Sequence, residues 1–236
     1  MSIRVSAVQF KRSAVTDPHR SMRAWAEELA PSSDLLVFPE MAASGYIFPN
    51  RAAVMAVAED AKGETFAALS PVAKSNKTWV VAGYPERAGE RLYNSACVIN
   101  PSGELAFTYR KTLLYSMDEL WAEAGDSGYR YFDADWGRFT VGICMDLNDD
   151  KFIAWLQQSC ADVLAFPTNW LQEDMDVWAY WAWRMGALKT TLVAANTYGV
   201  EGDICFSGRS VVLRERTIYA AADASGNHAV RAVVPA

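Results

Sequence analysis

Histidine is nearly missing from this chain: among 236 residues there are only His19 and His228. A histidine-rich zinc site, or a histidine base beside a nucleophilic serine, has little to draw on. The four cysteines, Cys97, Cys144, Cys160 and Cys205, are widely scattered. They form no C-x-x-C pair and no disulfide framework, so reduced thiols are expected. No cluster of Lys or Arg offsets the formal net charge of −6, which argues against a nucleic-acid face. No apolar run is long enough to span a bilayer. The opening M-S-I-R-V-S-A-V-Q-F alternates like a strand and lacks the apolar stretch of a secretion signal. No Pro/Gly/Ser-rich linker, internal repeat or low-complexity tract divides the chain. A single domain over 1–236, cytoplasmic and without membrane contact, is the expectation.

What is present is a regular succession of short apolar runs, and half of all residues are hydrophobic. The runs fall at 3–8, 35–38, 79–82, 93–99, 105–109, 139–144, 163–166, 191–195, 210–213 and 229–234. Helical periodicity fills several gaps between them, at 19–30, 64–74, 151–160 and 175–189. N-P-S-G at 100–103 marks a hairpin turn in the middle. Alternating strands and helices in both halves predict an α/β layered fold.

In such folds reactive groups gather where strands end. The run at 35–38 leads through Pro39 to Glu40, and Pro39 stops the strand and fixes the backbone before the carboxylate. The run at 105–109 leads into Arg110 and Lys111. The run at 163–166 ends in P-T-N-W, with Asn169 and Trp170. Residues 140–148 read T-V-G-I-C-M-D-L-N and carry Cys144 to the mouth of a strand. Gly142 there is expected to let another backbone approach, and Asn148, Asp149 and Asp150 to cap the following helix. Backbone N–H groups and a helix dipole at this joint favour the thiolate.

Taken together, these residues support acyl transfer to a thiol. Cysteine is the strongest neutral-pH nucleophile in the chain but needs its proton removed. Glu40 suits that task if burial raises its pKa. Lys111 would steady the oxyanion of a tetrahedral intermediate. No step calls for a metal or cofactor, and none is expected.

With those residues assembled, the sequence resembles the nitrilase, or carbon–nitrogen hydrolase, superfamily over nearly its whole length. F-P-E at 38–40 is similar to the general-base segment, followed by G-Y-I-F at 45–48. Y-N-S-A at 93–96 and P-S-G-E at 101–104 lead to Y-R-K at 109–111, the lysine segment. Glu119, eight positions past Lys111, stands where the resemblance implies a second glutamate that positions the lysine or the substrate. G-D at 125–126, G-I-C-M-D at 142–146, A-A-N-T-Y-G at 194–199 and the stretch 207–210 complete the series in order. The resemblance implies an α-β-β-α sandwich, with Glu40, Lys111, Glu119 and Cys144 as the catalytic set. It also implies a homodimer through a helical face, to which Trp178, Trp181 and Trp183 are candidates; helix–sheet packing is the other use of those rings.

The sequence departs from the family pattern in places. Leu113 stands where many members have histidine, and Ala187-Leu188 replace a Glu-Asn pair, so packing behind the site must differ. No C-terminal extension of the family kind, reaching a neighbouring subunit, is expected. Met145-Asp146 follow the nucleophile in place of the Trp-Glu of true nitrilases, which makes nitriles a minor option. C-M-D-L-N and A-F-P-T-N-W-L are most similar to the protein N-terminal amidase branch, so primary amides such as N-terminal Asn or Gln lead. Asp146 would then bind the α-ammonium, or else hydrogen-bond backbone at the turn. Asn169 and Trp170 would line the pocket. N-carbamoyl amidohydrolase and ω-amidase activities are the alternatives, and a catalytically silent binding protein is the alternative of another class.

Overall fold

The computed structural model describes residues 2–186 and 188–236. Strands β1 (Ser2–Gln9), β2 (Leu35–Val37) and β3 (Trp79–Ala88) run parallel. Strands β4 (Arg91–Ile99) and β5 (Leu105–Arg110) extend the sheet antiparallel on one side. The hairpin turn between them is the expected one: Asn100 Oδ1 accepts from the Ser102 and Glu104 N–H groups, and Gly103 has φ +78°. A second sheet repeats this plan. Strands β6 (Tyr131–Ala134), β7 (Gly137–Val141), β8 (Val163–Thr168) and β9 (Thr191–Asn196) have their last three members parallel. A small hairpin, β10 (Tyr198–Glu201) and β11 (Ile204–Ser207), stands apart. Strands β12 (Val211–Arg214) and β13 (Thr217–Ala221) finish the second sheet, and β14 (His228–Pro235) closes the first against β1. The orders are β14-β1-β2-β3-β4-β5 and β13-β12-β9-β8-β7-β6.

Period-two alternation explains how the layers meet. Leu35, Val37 and Val81 point between the sheets, in one apolar cluster with Val163, Ala165 and Val193. Their neighbours Leu36, Val80 and Ala82 point the other way. There they meet Met22, Ala26 and Leu29 of α1 (Pro18–Leu29), and Leu69, Val72 and Ala73 of α3 (Glu64–Asn76). A short α2 (Arg51–Met55) precedes α3. Phe152 and Leu156 of α4 (Asp150–Ser159), with Trp181 and Met185 of α5 (Val177–Met185), cover the far face of the second sheet. The result is the four-layer α-β-β-α sandwich. Each fully buried Phe or Leu in it contributes roughly 1.5–3 kcal/mol of transfer free energy.

Two expectations shift in detail. The helix expected over 175–189 is shorter, because Asp176 caps its start by accepting from the Ala179 N–H and Gly186, at φ +56°, ends it. Ala187, one of the two residues read as an unusual pair, lies outside the described residues. Of the three tryptophans, Trp181 is fully buried and Trp178 donates its Nε1–H to the Arg209 carbonyl at 2.7 Å. Trp183 alone of the three is well exposed. No helix among the described residues is long and apolar enough to cross a membrane.

Candidate active site

Glu40 leaves the end of β2 on a backbone held from both sides. The Phe38 N–H donates to the Val81 carbonyl, the Gly83 N–H to the Pro39 carbonyl, and the Ala42 N–H to the Gly83 carbonyl. Met41, just after Glu40, has φ +51°, a left-handed conformation unusual for a non-glycine residue. Gly83 makes this crossing possible. A Cβ there would sit 2.5 Å from Glu40 Cα and 2.6 Å from the Pro39 carbonyl oxygen, both backbone atoms with no freedom to step aside. Gly83→Ala is therefore expected to displace Glu40. About a hundredfold loss of kcat should accompany about 1–3 kcal/mol of destabilisation, read by steady-state kinetics and thermal melting. An unchanged kcat would mean that the crossing does not set the position of Glu40.

The Glu40 carboxylate is buried and accepts three hydrogen bonds. Lys111 Nζ at 2.8 Å and Asn94 Nδ2 at 2.7 Å reach Oε1, and the Asn169 N–H reaches Oε2 at 2.8 Å. Burial pushes its pKa up, and the Asp118 charge adds to this against the pull of Lys111. Lys111 is completely buried and also donates to Asp118 Oδ2 at 2.6 Å. Burial disfavours its charge, but Glu40, Asp118 and Cys144 together outweigh that and hold the ammonium. Asn94 Nδ2 and the Tyr46 hydroxyl both donate to Asp118 Oδ1, at 3.1 and 3.0 Å.

This corrects the reading of Glu119. Residues Asp118–Leu120 form one 3-10 turn, in which Asp118 faces inward and Glu119 is exposed to solvent. The acid against Lys111 is Asp118, seven positions along the chain and one methylene shorter. The Tyr115 N–H, donating to Asp118 Oδ2 at 3.0 Å, fixes the turn.

Cys144 follows β7 with φ +46°, a strained elbow that leaves its side chain 7% exposed. Burial, then the Glu40 charge, push its thiol up to about 12, with Lys111 pulling the other way. Burial thus works against the thiolate that the backbone donors and helix dipole of this joint are expected to favour. Gly142 does serve close packing, though against a ring and not a backbone. A Cβ there would lie 2.6 Å from Phe152 Cζ. The helix cap is Asp149, whose side chain accepts from the Lys151 N–H at 2.9 Å.

Asp146 does not face a substrate. It is wholly buried and accepts from the Ile143, Thr112 and Leu113 N–H groups and from the Thr112 and Tyr109 hydroxyls, all within 2.9 Å. Its work is to tie the Cys144 elbow to the segment that carries Lys111. Burial raises its pKa against these donors.

Cys144 opens into a cavity of about 190 Å³, walled by Tyr46, Tyr115, Met145, Asn169, Trp170 and Tyr180, with Glu173 among the other lining residues. Asn169 and Trp170 thus line the cavity, as the sequence suggested. The Trp170 N–H is held by Asn196 Oδ1 at 2.9 Å, and its ring stacks edge-on against Trp181. Three buried side-chain oxygens lack partners among the described residues here: Asn94 Oδ1, Thr168 Oγ1 and Asn169 Oδ1. The segments holding Tyr46 and Asn94 carry part of the resemblance, but the sequence assigns neither residue a task, and it gives no signal for Asp118 or Glu173.

The family profile described as carbon–nitrogen hydrolase matches residues 5–227. A nitrilase of Pyrococcus abyssi is 34% identical over 183 residues, covering 76% of this chain and 68% of that protein. The protein N-terminal amidase of Saccharomyces cerevisiae is 34% identical over 141 residues, 51% of this chain, and the match spans only 31% of that longer protein. A carbon–nitrogen hydrolase structure from Helicobacter pylori superposes with a TM-score of 0.84 at 20% identity, over 99% of this chain and 89% of that one.

Proposed function

The chain belongs to the carbon–nitrogen hydrolase family, and from that premise we propose that it hydrolyses primary amides through an acyl-enzyme on Cys144, releasing ammonia. Glu40 takes the Sγ proton as sulfur attacks the amide carbon, and the oxyanion forms against Lys111. Collapse breaks the C–N bond, and Glu40 returns the proton to the departing ammonia. Water then attacks the thioester, Glu40 accepts its proton, and the acid leaves with the thiol restored. Asp118, Asn94 and Tyr46 hold Lys111 and Glu40 in place and do not themselves touch the reacting atoms. The observation that carries this reading is a buried ammonium shared by two carboxylates, its charge felt by the Cys144 thiol.

The leading substrates are peptides with N-terminal Asn or Gln. The cavity is below the roughly 300–1,000 Å³ of drug-sized sites, which suits a short acyl chain. Among the described residues lining it there is no Lys, Arg or His. The ω-amides of keto acids and N-carbamoyl amino acids both bring a carboxylate that would find no cation. A free α-ammonium has no such difficulty, and the similarity to the yeast N-terminal amidase favours the same class. Ammonia release across a panel tests this: peptides headed by Asn or Gln, the free amino acids, keto-acid ω-amides, N-carbamoyl amino acids and simple nitriles. The peptides are expected to exceed the anionic amides at least about tenfold in kcat/KM. Faster turnover of an anionic amide or a nitrile would sink the assignment.

A further inference from the structure

We infer that Glu173 is the specificity-determining residue of this site, its carboxylate receiving a positively charged ammonium carried on the acyl portion of the substrate. The inference rests on the amidase reading and adds which side chain does the choosing. Glu173 is the one carboxylate among the described residues lining the Cys144 cavity, whose other walls are neutral. It makes no ion pair among the described residues. Arg209, the cation beside this loop, is already taken by Asp176. The loop is held at each end and open between. The Gln172 N–H donates to the Cys205 carbonyl at 2.8 Å, and Asp176 caps α5. Glu173 therefore stands at the rim with a free charge, on a segment anchored on both sides of it.

A second observation points the same way. Asn169 lies on the wall of the same cavity, and its Oδ1 is buried with no partner. An ammonium is a donor on every side and lacks any acceptor. A carboxylate, an unpaired amide oxygen and an absence of cations suit it; a carboxylate ligand meets repulsion at the rim and nothing to neutralise it within. Because the rim is solvated, the expected effect is moderate.

Two measurements test the inference. The first uses no amide: the rates at which the cationic aminoethyl and the anionic sulfonatoethyl methanethiosulfonates modify Cys144, followed by mass spectrometry of its peptide. The cation should be favoured, and Glu173→Gln should lower the cation-to-anion ratio about five- to tenfold, with Glu173→Lys inverting it. The second compares an Asn-headed peptide with its N-acetylated form. Glu173→Gln should lower the ratio of their kcat/KM values by a similar factor, mainly through KM. An unchanged ratio, or an equal loss on charged and acetylated peptides, would overturn the inference, since a merely structural loop residue acts on both alike. If the reagent ratio falls while the wild type releases no ammonia from either peptide, charge recognition by Glu173 stands and the N-terminal amide assignment falls.

Discussion

Cys144→Ala is expected to lower ammonia release by about 10⁴-fold or more while the protein stays folded. The sulfur is the only atom removed. It lies at the mouth of the cavity, so the void left behind costs on the order of 1 kcal/mol. A near-native melting temperature with no turnover would assign the nucleophile, whereas surviving turnover would end the thiol mechanism. The pH dependence of the wild type carries more detail. Burial pushes the thiol up to about 12, so on the proposed mechanism attack waits on Glu40. Glu40 acts only as carboxylate, so activity is gained as pH rises through its folded pKa. Burial lifts that pKa, which moves the acidic limb of the kcat/KM profile above the ordinary glutamate range of about 4.3. The limb belongs to Glu40 together with its interacting neighbours Lys111 and Cys144. A limb at or below the ordinary range would show that Glu40 is not the base.

Two signals single out Glu40, Lys111 and Cys144 in the sequence: their place at strand ends and the ordered segments that resemble the family. Each follows an apolar run, and strand ends are where parallel sheets present side chains for chemistry. The alternation of Leu35, Leu36 and Val37 likewise announces a strand with two apolar faces, hence a layer on each side. What failed was phase within a turn. The resemblance implies Glu119, but a single 3-10 turn between 118 and 120 decides which residue faces inward, and one residue's slip exchanges burial for solvent. For Asp146 the sequence leaves open a ligand's ammonium or backbone groups at the turn, and the structure has the second: its five donors come from Tyr109, Thr112, Leu113 and Ile143. Four of those come from residues more than thirty positions away, which spacing cannot reveal. At Cys144 the helix-end donors are legible in the sequence, but the burial that opposes them is not. Glu173 left no local signal, being an exposed residue in an acidic loop until the fold brings that loop to the cavity.

Lys111→Met is the substitution expected to damage both stability and catalysis. The ammonium lies between Glu40 and Asp118, and all three side chains are 0% exposed. Methionine has similar bulk, so packing survives while two buried carboxylates lose their countercharge. Breaking such a pair costs about 3–5 kcal/mol. Turnover should fall about 10³-fold or more, because the oxyanion partner is lost and Glu40 is driven further towards its neutral acid. The sign of the pH dependence identifies the cause. Burial already raises the folded pKa of Glu40, and without the pull of Lys111 it rises further. Its neutral form is tolerated, so the contribution to stability is intact below about pH 4 and lost as pH rises through the folded value. Urea titrations should therefore find the variant losing stability relative to wild type between pH 5 and pH 8. Adding Asp118→Asn should recover much of that loss, since Asn keeps the acceptor for Tyr46 and removes one charge, yet turnover should stay low for want of the ammonium. A deficit equal at both pH values would mean that the loss is one of packing. Recovery of turnover in the double variant would mean that Lys111 serves only to neutralise its two neighbours.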